Sequence, residues 1–138
     1  MYHEIPSWVE NGSIFHIRIR CHHYYKYSLT DQSIGDPLFK SVKSYQRNKI
    51  WHCRLIVLMP DHLHALLSFN PTRSMSIVIG EWKKYHRRVN GIKWQDNYFD
   101  HRIRNYKELE LKSTYIRHNP VVKGLCAKPE LWPWILDY

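Results

Sequence analysis

Apolar and polar side chains alternate along residues 14–21. Positions 15, 17, 19 and 21 are apolar, and His16, Arg18 and Arg20 lie between them. A period of two predicts a β-strand with one buried face. The histidine and the two arginines should therefore share the opposite face of that strand.

Three further strands are predicted from short runs that are rich in apolar residues. Two of them cover residues 49–58 and 62–69, and a shorter one covers residues 98–103. Pro60 interrupts the first two, because proline has no backbone N–H to donate to a sheet. The pattern leaves open whether this interruption is a hairpin turn or a bend within a pair of strands.

Two segments show the spacing of amphipathic helices. Pro37 can open the first, over residues 37–48, after a polar loop. The second covers residues 74–89, and Gly91 marks its end. Its apolar side chains recur at helical spacing and are expected to face the core: Met75, Val78, Ile79, Trp82 and Tyr85.

A third helix is predicted to open at Asn105, with Glu108 three residues later in a variant of the capping box. Pro120 is expected to stop it near Asn119. The order strand, helix, strand, strand, helix, strand, helix predicts an α+β fold. We expect a ferredoxin-like four-stranded antiparallel sheet with helices packed on one face, in a single domain over residues 1–138.

The charge balance points to a polyanionic partner. Lys and Arg total 21 against 12 Asp and Glu, for a formal net charge of +9. A small protein this basic often binds nucleic acid, although a solvated basic surface has the same composition. No apolar run reaches the roughly 18 residues of a membrane span, and residues 1–4 do not resemble the start of a signal peptide. The expected location is the cytoplasm, with no membrane partner.

His62 and His64 are the sharpest local candidates for chemistry. Residues two apart on a strand project to the same face, so both imidazoles point one way. Two adjacent imidazoles form a natural half of a metal site. The same spacing also fits two strand histidines that make local hydrogen bonds. The three cysteines are odd in number and widely spaced, so neither a disulfide framework nor a cysteine zinc site is expected.

Tyr115 and Asn119 share one face near the end of the third predicted helix. A tyrosine hydroxyl can attack phosphorus, and an asparagine carbonyl oxygen can bind a hard cation. A tyrosine on an amphipathic helix also serves simple packing.

A basic, aromatic stretch on the second predicted helix is the candidate DNA-binding surface. Cations there would neutralise phosphates, and aromatic rings could stack on unpaired bases. The alternative is that Trp82 and Tyr85 face the core while the cations are only solvated. The candidate DNA-binding residues are Lys83, Lys84, Arg87, Arg88 and Lys93.

Several segments together resemble one family, the IS200-like HUH tyrosine transposases, and most closely its branch associated with repetitive extragenic palindromes (REP). The resemblance rests on VLMPDHLHALL at residues 57–67, WQDNYFDHRIR at 94–104, YIRHNPVVKGL at 115–125 and PELWPW at 129–134. It extends over nearly the whole chain in the right order. Position 61 is Asp here where the family often has Asn, and the loop at residues 21–25 has no counterpart that we can place.

The resemblance implies a role for each candidate residue. His62, His64 and Asn119 would bind a divalent cation, Mg²⁺ or Mn²⁺, and Tyr115 would be the catalytic nucleophile. The implied activity is cleavage and rejoining of single-stranded, hairpin-flanked DNA through a 5′-phosphotyrosine. Such an enzyme would act at the nucleoid of a prokaryote, as a homodimer or as a monomer.

Two other functions fit the same residues. One is a domesticated, non-catalytic module that binds nucleic acid. The other is a metal-dependent single-strand nuclease that uses activated water in place of Tyr115.

Overall fold

The computed structural model of the chain describes residues 5–137, so the signal-peptide expectation drawn from residues 1–4 lies outside the described residues. Within residues 5–137 the elements follow one another in this order: α1 (Ser7–Glu10), β1 (Phe15–Arg20), α2 (Gln32–Arg47), β2 (Trp51–Leu58), β3 (His62–Phe69), α3 (Met75–Asn90), β4 (Phe99–Arg102), α4 (Tyr106–Val122), a short 3-10 helix (Pro129–Leu131) and β5 (Ile135–Asp137). None of these helices combines the length and the apolar character that a bilayer crossing requires.

The strands form one antiparallel sheet in the order β4-β1-β3-β2-β5. β2 and β3 form a hairpin, and the Met59 N–H donates to the His62 carbonyl at 2.8 Å across its turn. The interruption at Pro60 is therefore a hairpin turn and not a bend. The predicted α+β class and antiparallel sheet are confirmed. The sheet has five strands, whereas four were predicted. The sequence pattern did not indicate β5, because a strand of three residues is too short to show an alternation of apolar and polar positions.

The sheet buries both of its faces. The helices α2 and α3 cover one face, where Leu38 and Trp82 pack with Ile17 and Leu63. The helix α4 covers the other face through Ile116. The expectation that the helices lie on one face therefore does not hold for α4. The physical reason is that the central strands β2 and β3 carry apolar side chains on both sides, so each side needs a cover.

The helix α2 begins five residues earlier than Pro37, at Gln32. Its first turn is held by the N–H groups of Ile34 and Gly35, which donate to the Asp31 carbonyl. Ile34 is buried in the main core, and this packing outweighs the hydrogen bond that a proline inside a helix removes.

The helix α4 continues past Pro120 and ends at Val122. Its last turn is closed by Gly124, which has a φ of 74° and donates its N–H to the Val121 carbonyl. The Leu125 N–H donates to the Pro120 carbonyl at 2.8 Å. This pair of bonds is a Schellman motif, so a left-handed glycine ends the helix and the proline does not.

The boundaries of α3 agree with the prediction, since Ser74 caps it and Gly91 ends it with a φ of 68°. The expected inward position of Tyr85 is wrong, because Tyr85 is 44% exposed. His86 takes the buried position instead, where Ser41 and Asn90 lie within hydrogen-bond distance of its two ring nitrogens.

The C-terminal segment contacts β2, α2 and α4. The Trp132 indole N–H donates to the Leu58 carbonyl, and the Trp132 ring packs in the core under α4. Trp134 packs against α2 on the opposite face of the sheet. Arg117 of α4 forms an ion pair with Asp137 of β5. These contacts hold α4 against the sheet.

Candidate active site

The strand β3 presents His62 and His64 on the face that α4 covers. Both side chains are buried, and their ring centroids lie 5.0 Å apart. The antiparallel register places Arg20 opposite His62 and Arg18 opposite His64. The alternation seen in the sequence therefore brings the two arginines of β1 to the same face as the histidine pair.

A continuous line of hydrogen bonds passes through His64. The Asn119 amide nitrogen lies 2.8 Å from His64 Nε2, and His64 Nδ1 lies 2.9 Å from His16 Nε2. If the amide donates to Nε2, Nδ1 carries the proton of the neutral ring and donates to His16. The positions of His16 and Asn119 thus orient the His64 imidazole from both sides.

His62 is oriented by Asp61. The Nδ1 of His62 donates to the Asp61 carboxylate at 2.7 Å, which leaves the Nε2 lone pair available to a ligand. The hydrogen bond from His62 holds the pKa of Asp61 below its ordinary value. A carboxylate on the outer nitrogen of a metal-binding imidazole is a common supporting arrangement.

Burial keeps these imidazoles neutral at neutral pH. It lowers the pKa of His64 to about 3 and the pKa of His16 to about 4, and nearby positive groups add to the effect. Burial also lowers the pKa of His62, where it outweighs the opposing effect of Asp61. Neutral imidazoles have the lone pair that a metal ligand needs.

Tyr115 projects from α4 into the same cleft. Its side chain is 56% exposed, and its ring centroid lies 5.9 Å from that of His64 and 6.5 Å from that of His16. Asn119 follows one helical turn later and is buried. The cleft has a volume of about 500 Å³, and its lining includes Arg18, Arg20, Asp61, His62, His64, Tyr115, Asn119 and Lys123.

The N-terminus of α4 is fixed as the sequence predicts. The Asn105 side chain accepts from the Glu108 N–H, and the Glu108 carboxylate accepts from the Arg104 N–H at 2.8 Å. A further hydrogen bond joins Glu108 to His101 on β4. The start of the helix that bears Tyr115 is therefore attached to the sheet.

The donor set suits a divalent cation. Within residues 5–137 no three His, Cys, Asp or Glu side chains form a cluster with metal-binding geometry, so the candidate site combines the histidine pair with another type of donor. Asn119 supplies an amide beside His64, and rotation of that amide exchanges its nitrogen for an oxygen. Two imidazole nitrogens and one amide oxygen leave coordination positions open for water or phosphate.

The five basic residues predicted to bind DNA lie outside this cleft. Lys84, Arg87 and Arg88 are exposed on α3, which packs on the opposite face of the sheet, and Lys93 is exposed in the loop after it. The Lys83 ammonium donates to the carbonyls of Gln95 and Asp96 at 2.7 and 3.2 Å. Lys83 therefore supports that loop as well as adding charge to the surface.

Several residues that line the cleft or contact its histidines were not among the sequence candidates. His16, Arg18 and Arg20 could have been found from the alternation of β1, which already places them together on one face. Asp61 was noted only as a departure from the family pattern, and Lys123 had no signal, because a turn and a helix end bring these two residues into the cleft.

Comparison with known proteins identifies the family. The sequence model of the family described as "Transposase IS200 like" matches residues 12–119, a range that contains His62, His64, Tyr115 and Asn119. The chain is 28% identical over 92 residues to a REP-associated tyrosine transposase of Escherichia coli. That match covers 64% of this chain and 56% of the relative's length.

Two solved structures share the fold. One is a REP-associated tyrosine transposase bound to a REP hairpin, with a TM-score of 0.77 and 24% identity over 90% of this chain and 76% of the other. A candidate transposase from Deinococcus radiodurans has a TM-score of 0.52 and 14% identity, over 74% of this chain and 87% of the other. The family match covers well over half of the chain and agrees with the resemblance read from its motifs. The chain belongs to the IS200-like transposase family.

Proposed function

We propose that this protein is a metal-dependent transposase that cleaves and rejoins single-stranded DNA through a 5′-phosphotyrosine on Tyr115. The observation that carries the proposal is the shared cleft of Tyr115, His62, His64 and Asn119, in a chain of the IS200-like family. Tyr115 on α4 lies one helical turn from Asn119, whose amide is within hydrogen-bond distance of His64 on β3.

His62, His64 and Asn119 would hold the divalent cation, Mg²⁺ or Mn²⁺. When bound, such a cation polarises the scissile phosphate and stabilises the charge that develops on it. The protein contributes the orientation of these ligands, through Asp61 on His62 and His16 on His64.

Tyr115 would perform the chemical step. Its hydroxyl loses a proton, and its oxygen forms a bond to phosphorus while the bond from phosphorus to the 3′-oxygen breaks. The released oxygen takes up a proton and becomes a 3′-hydroxyl. Because one phosphoester replaces another, the reverse attack by a 3′-hydroxyl rejoins the strand without ATP.

The cations of the cleft would position the DNA backbone. Arg18, Arg20 and Lys123 line the cleft and can pair with phosphates near the reacting one. A hairpin next to the cleaved strand is the proposed recognition element, and the related protein with the same fold was solved bound to a REP hairpin.

The exposed cations of α3 would bind the flanking DNA. The Gln95 N–H donates to the Arg20 carbonyl at 2.9 Å, so the loop that Lys83 supports reaches the end of β1 beside the cleft. Lys84 and Arg87 border that loop on the α3 side. The position of these cations beside a loop that reaches the end of β1 supports them as contacts to phosphates outside the reacting strand.

The test is to incubate the protein with labelled single-stranded DNA from the flanks of its own gene, in the presence of Mn²⁺. The expected result is a denaturation-resistant protein–DNA adduct that is lost in Tyr115→Phe. Tyr106→Phe is the matched control, because Tyr106 is an exposed tyrosine at the other end of α4 and should leave the adduct unchanged.

Two outcomes would overturn the proposal. Cleavage without an adduct, retained in Tyr115→Phe, would show a nuclease that uses activated water. DNA binding without cleavage, unaffected by His62→Ala or His64→Ala, would show a non-catalytic binding module.

A further inference from the structure

The segment between β1 and α2 holds a cluster of aromatic side chains that the proposed reaction does not use. It comprises residues 22–27, with the sequence HHYYKY, and is called the aromatic loop below. Two histidines and three tyrosines surround one lysine. Packing in the core does not account for Tyr24 and Tyr27, because these two residues are 56% and 69% exposed.

Both ends of the aromatic loop are attached to the rim of the cleft. The Cys21 N–H donates to the Asp61 carbonyl at 2.8 Å, and the Leu29 N–H donates to the Pro60 carbonyl at 2.9 Å. Pro60 and Asp61 line the cleft beside His62. A strand that leaves the cleft across this rim therefore meets the aromatic loop first.

The rings are supported by one another. The ring centroids of His22 and Tyr24 lie 3.8 Å apart with 43° between the ring planes, so His22 backs Tyr24. Tyr27 packs edge-on against the half-buried Tyr25, at 5.9 Å. Supported rings lose little conformational entropy when a ligand stacks on them, which makes them suitable for binding flat groups.

The surroundings of the loop are positively charged. Lys26 is exposed within it, and Arg20 immediately precedes Cys21 at its start. The His22 N–H donates to the Lys93 carbonyl at 2.7 Å, which brings a second exposed lysine to the same side. Two carboxylates lie next to the loop: that of Asp61 accepts a hydrogen bond from His62, and that of Asp31 accepts from the Ser28 N–H.

We infer that the aromatic loop is a stacking platform for unpaired nucleotide bases of the DNA strand that leaves the cleft, with Tyr24 and Tyr27 as the stacking surfaces. Exposed rings interleaved with cations are complementary to bases and phosphates together, whereas an apolar partner would not call for the cations. The inference rests on the proposed function, since it takes the strand in the cleft to be DNA. Stacking uses the face that every base has, so the platform is expected to tolerate different sequences.

The test measures binding of fluorescently labelled oligothymidine by anisotropy, without a divalent cation so that no cleavage occurs. Tyr24→Ala and Tyr27→Ala are each expected to weaken binding about tenfold, and Tyr24→Trp to retain it. Tyr106→Ala is the control, because Tyr106 is exposed on α4 away from the rim and should bind as the unaltered chain does. Circular dichroism and thermal melting check that each variant is folded.

An abasic oligonucleotide of the same length separates stacking from charge. The unaltered chain should bind the abasic strand more weakly than it binds oligothymidine. For the abasic strand, the affinities of the two alanine variants should equal that of the unaltered chain. Alanine variants that bind oligothymidine normally, or that lose equal affinity for both strands, would overturn the inference.

Failure of this inference and failure of the proposed function give different results. If the chain forms the Tyr115 adduct but the alanine variants bind oligothymidine normally, the platform is absent and the proposed function stands. If no adduct forms but the base-dependent loss of binding is measured, the platform stands and the proposed chemistry is wrong.

Discussion

Asn119 on α4 and His64 on β3 are joined by a buried hydrogen bond of 2.8 Å, although they lie 55 positions apart in the sequence. This contact connects the helix that carries Tyr115 to the strand that carries the histidine pair. One helical turn separates Asn119 from Tyr115, so a shift of Asn119 would also shift the proposed nucleophile relative to the proposed metal ligands.

Removal of the Asn119 amide should weaken metal binding. Asn119→Ala is expected to lower the affinity for Mn²⁺ by about tenfold or more, because the proposed third ligand of the cation and a partner of His64 are both lost. Asn119→Asp keeps an oxygen at this position and should retain binding. Titration followed by electron paramagnetic resonance measures the affinity, with Asn97→Ala on the exposed loop as control. Unchanged affinity in Asn119→Ala would exclude Asn119 as a ligand.

Asp61 should act through its hydrogen bond to His62. Asp61→Ala is expected to lower Mn²⁺ affinity about tenfold, because His62 loses the acceptor that orients its ring. The free energy of unfolding should change by less than about 1 kcal/mol, since the Asp61 side chain is 77% exposed. Asp61→Asn keeps an oxygen acceptor and should restore most of the affinity. If Asp61→Asn is as impaired as Asp61→Ala, the negative charge matters and the orientation does not.

Two helix glycines should respond in opposite directions to alanine. A Cβ at Gly35 would lie 2.3 Å from the ring of Trp134, whereas a Cβ at Gly80 meets nothing within 4 Å. Gly35→Ala is therefore expected to destabilise the protein by about 1–3 kcal/mol. Gly80→Ala should stabilise it by about 0.5–1 kcal/mol, because alanine restricts the unfolded chain. Urea denaturation measures both, and equal effects of the two substitutions would contradict the packing of Trp134 on α2.

Acid should destabilise the fold partly through His86. Burial lowers the pKa of His86 to about 4, below the value of 6.5 for an unfolded chain. As the pH falls from about 6.5 to about 4, the unfolded chain takes up a proton that the folded chain does not. The stability contributed by neutral His86 is therefore complete above the unfolded pKa and is lost through this window, by about 3 kcal/mol in total.

The measurement compares urea unfolding of the unaltered chain and of His86→Gln at several pH values between about 7 and about 4. The buried His16 and His64 titrate in both proteins, so the difference between the two curves isolates His86. The variant should lose less stability across the window. Parallel curves would show that His86 takes up its proton at the same pH in the folded and unfolded chains, so that burial does not lower its pKa.

Short-range patterns predicted much of the architecture. The strand β3 was predicted from its run of apolar residues, and the common face of His62 and His64 follows from the period of two of any β-strand. The start of α4 at Asn105 and the end of α3 at Gly91 follow from hydrogen bonds between residues within one or two turns. These features depend on neighbours in the sequence, so their signals lie within a few residues of one another.

Other features depended on competition between local signals and packing. Pro37 and Pro120 each indicated a helix boundary, but α2 starts at Gln32 and α4 ends at Val122. Burial of the first turn of α2 and the glycine turn after α4 outweighed the effect of proline. Tyr85 and His86 are equally compatible with the helical period, and the polar partners on α2 and at the end of α3 decided which one is buried.

The sequence by itself determined the order of the three long helices and the first four strands, the face shared by His16, Arg18 and Arg20, the histidine pair on β3 and the likeness to the IS200-like family. Only the tertiary structure decided which of these features meet. It placed α4 on the face opposite α2 and α3, set His16 against His64, and brought the aromatic loop to the cleft rim. The physical reason is that these contacts join residues dozens of positions apart, and strand register and helix packing bring such residues together in ways that no local periodicity encodes.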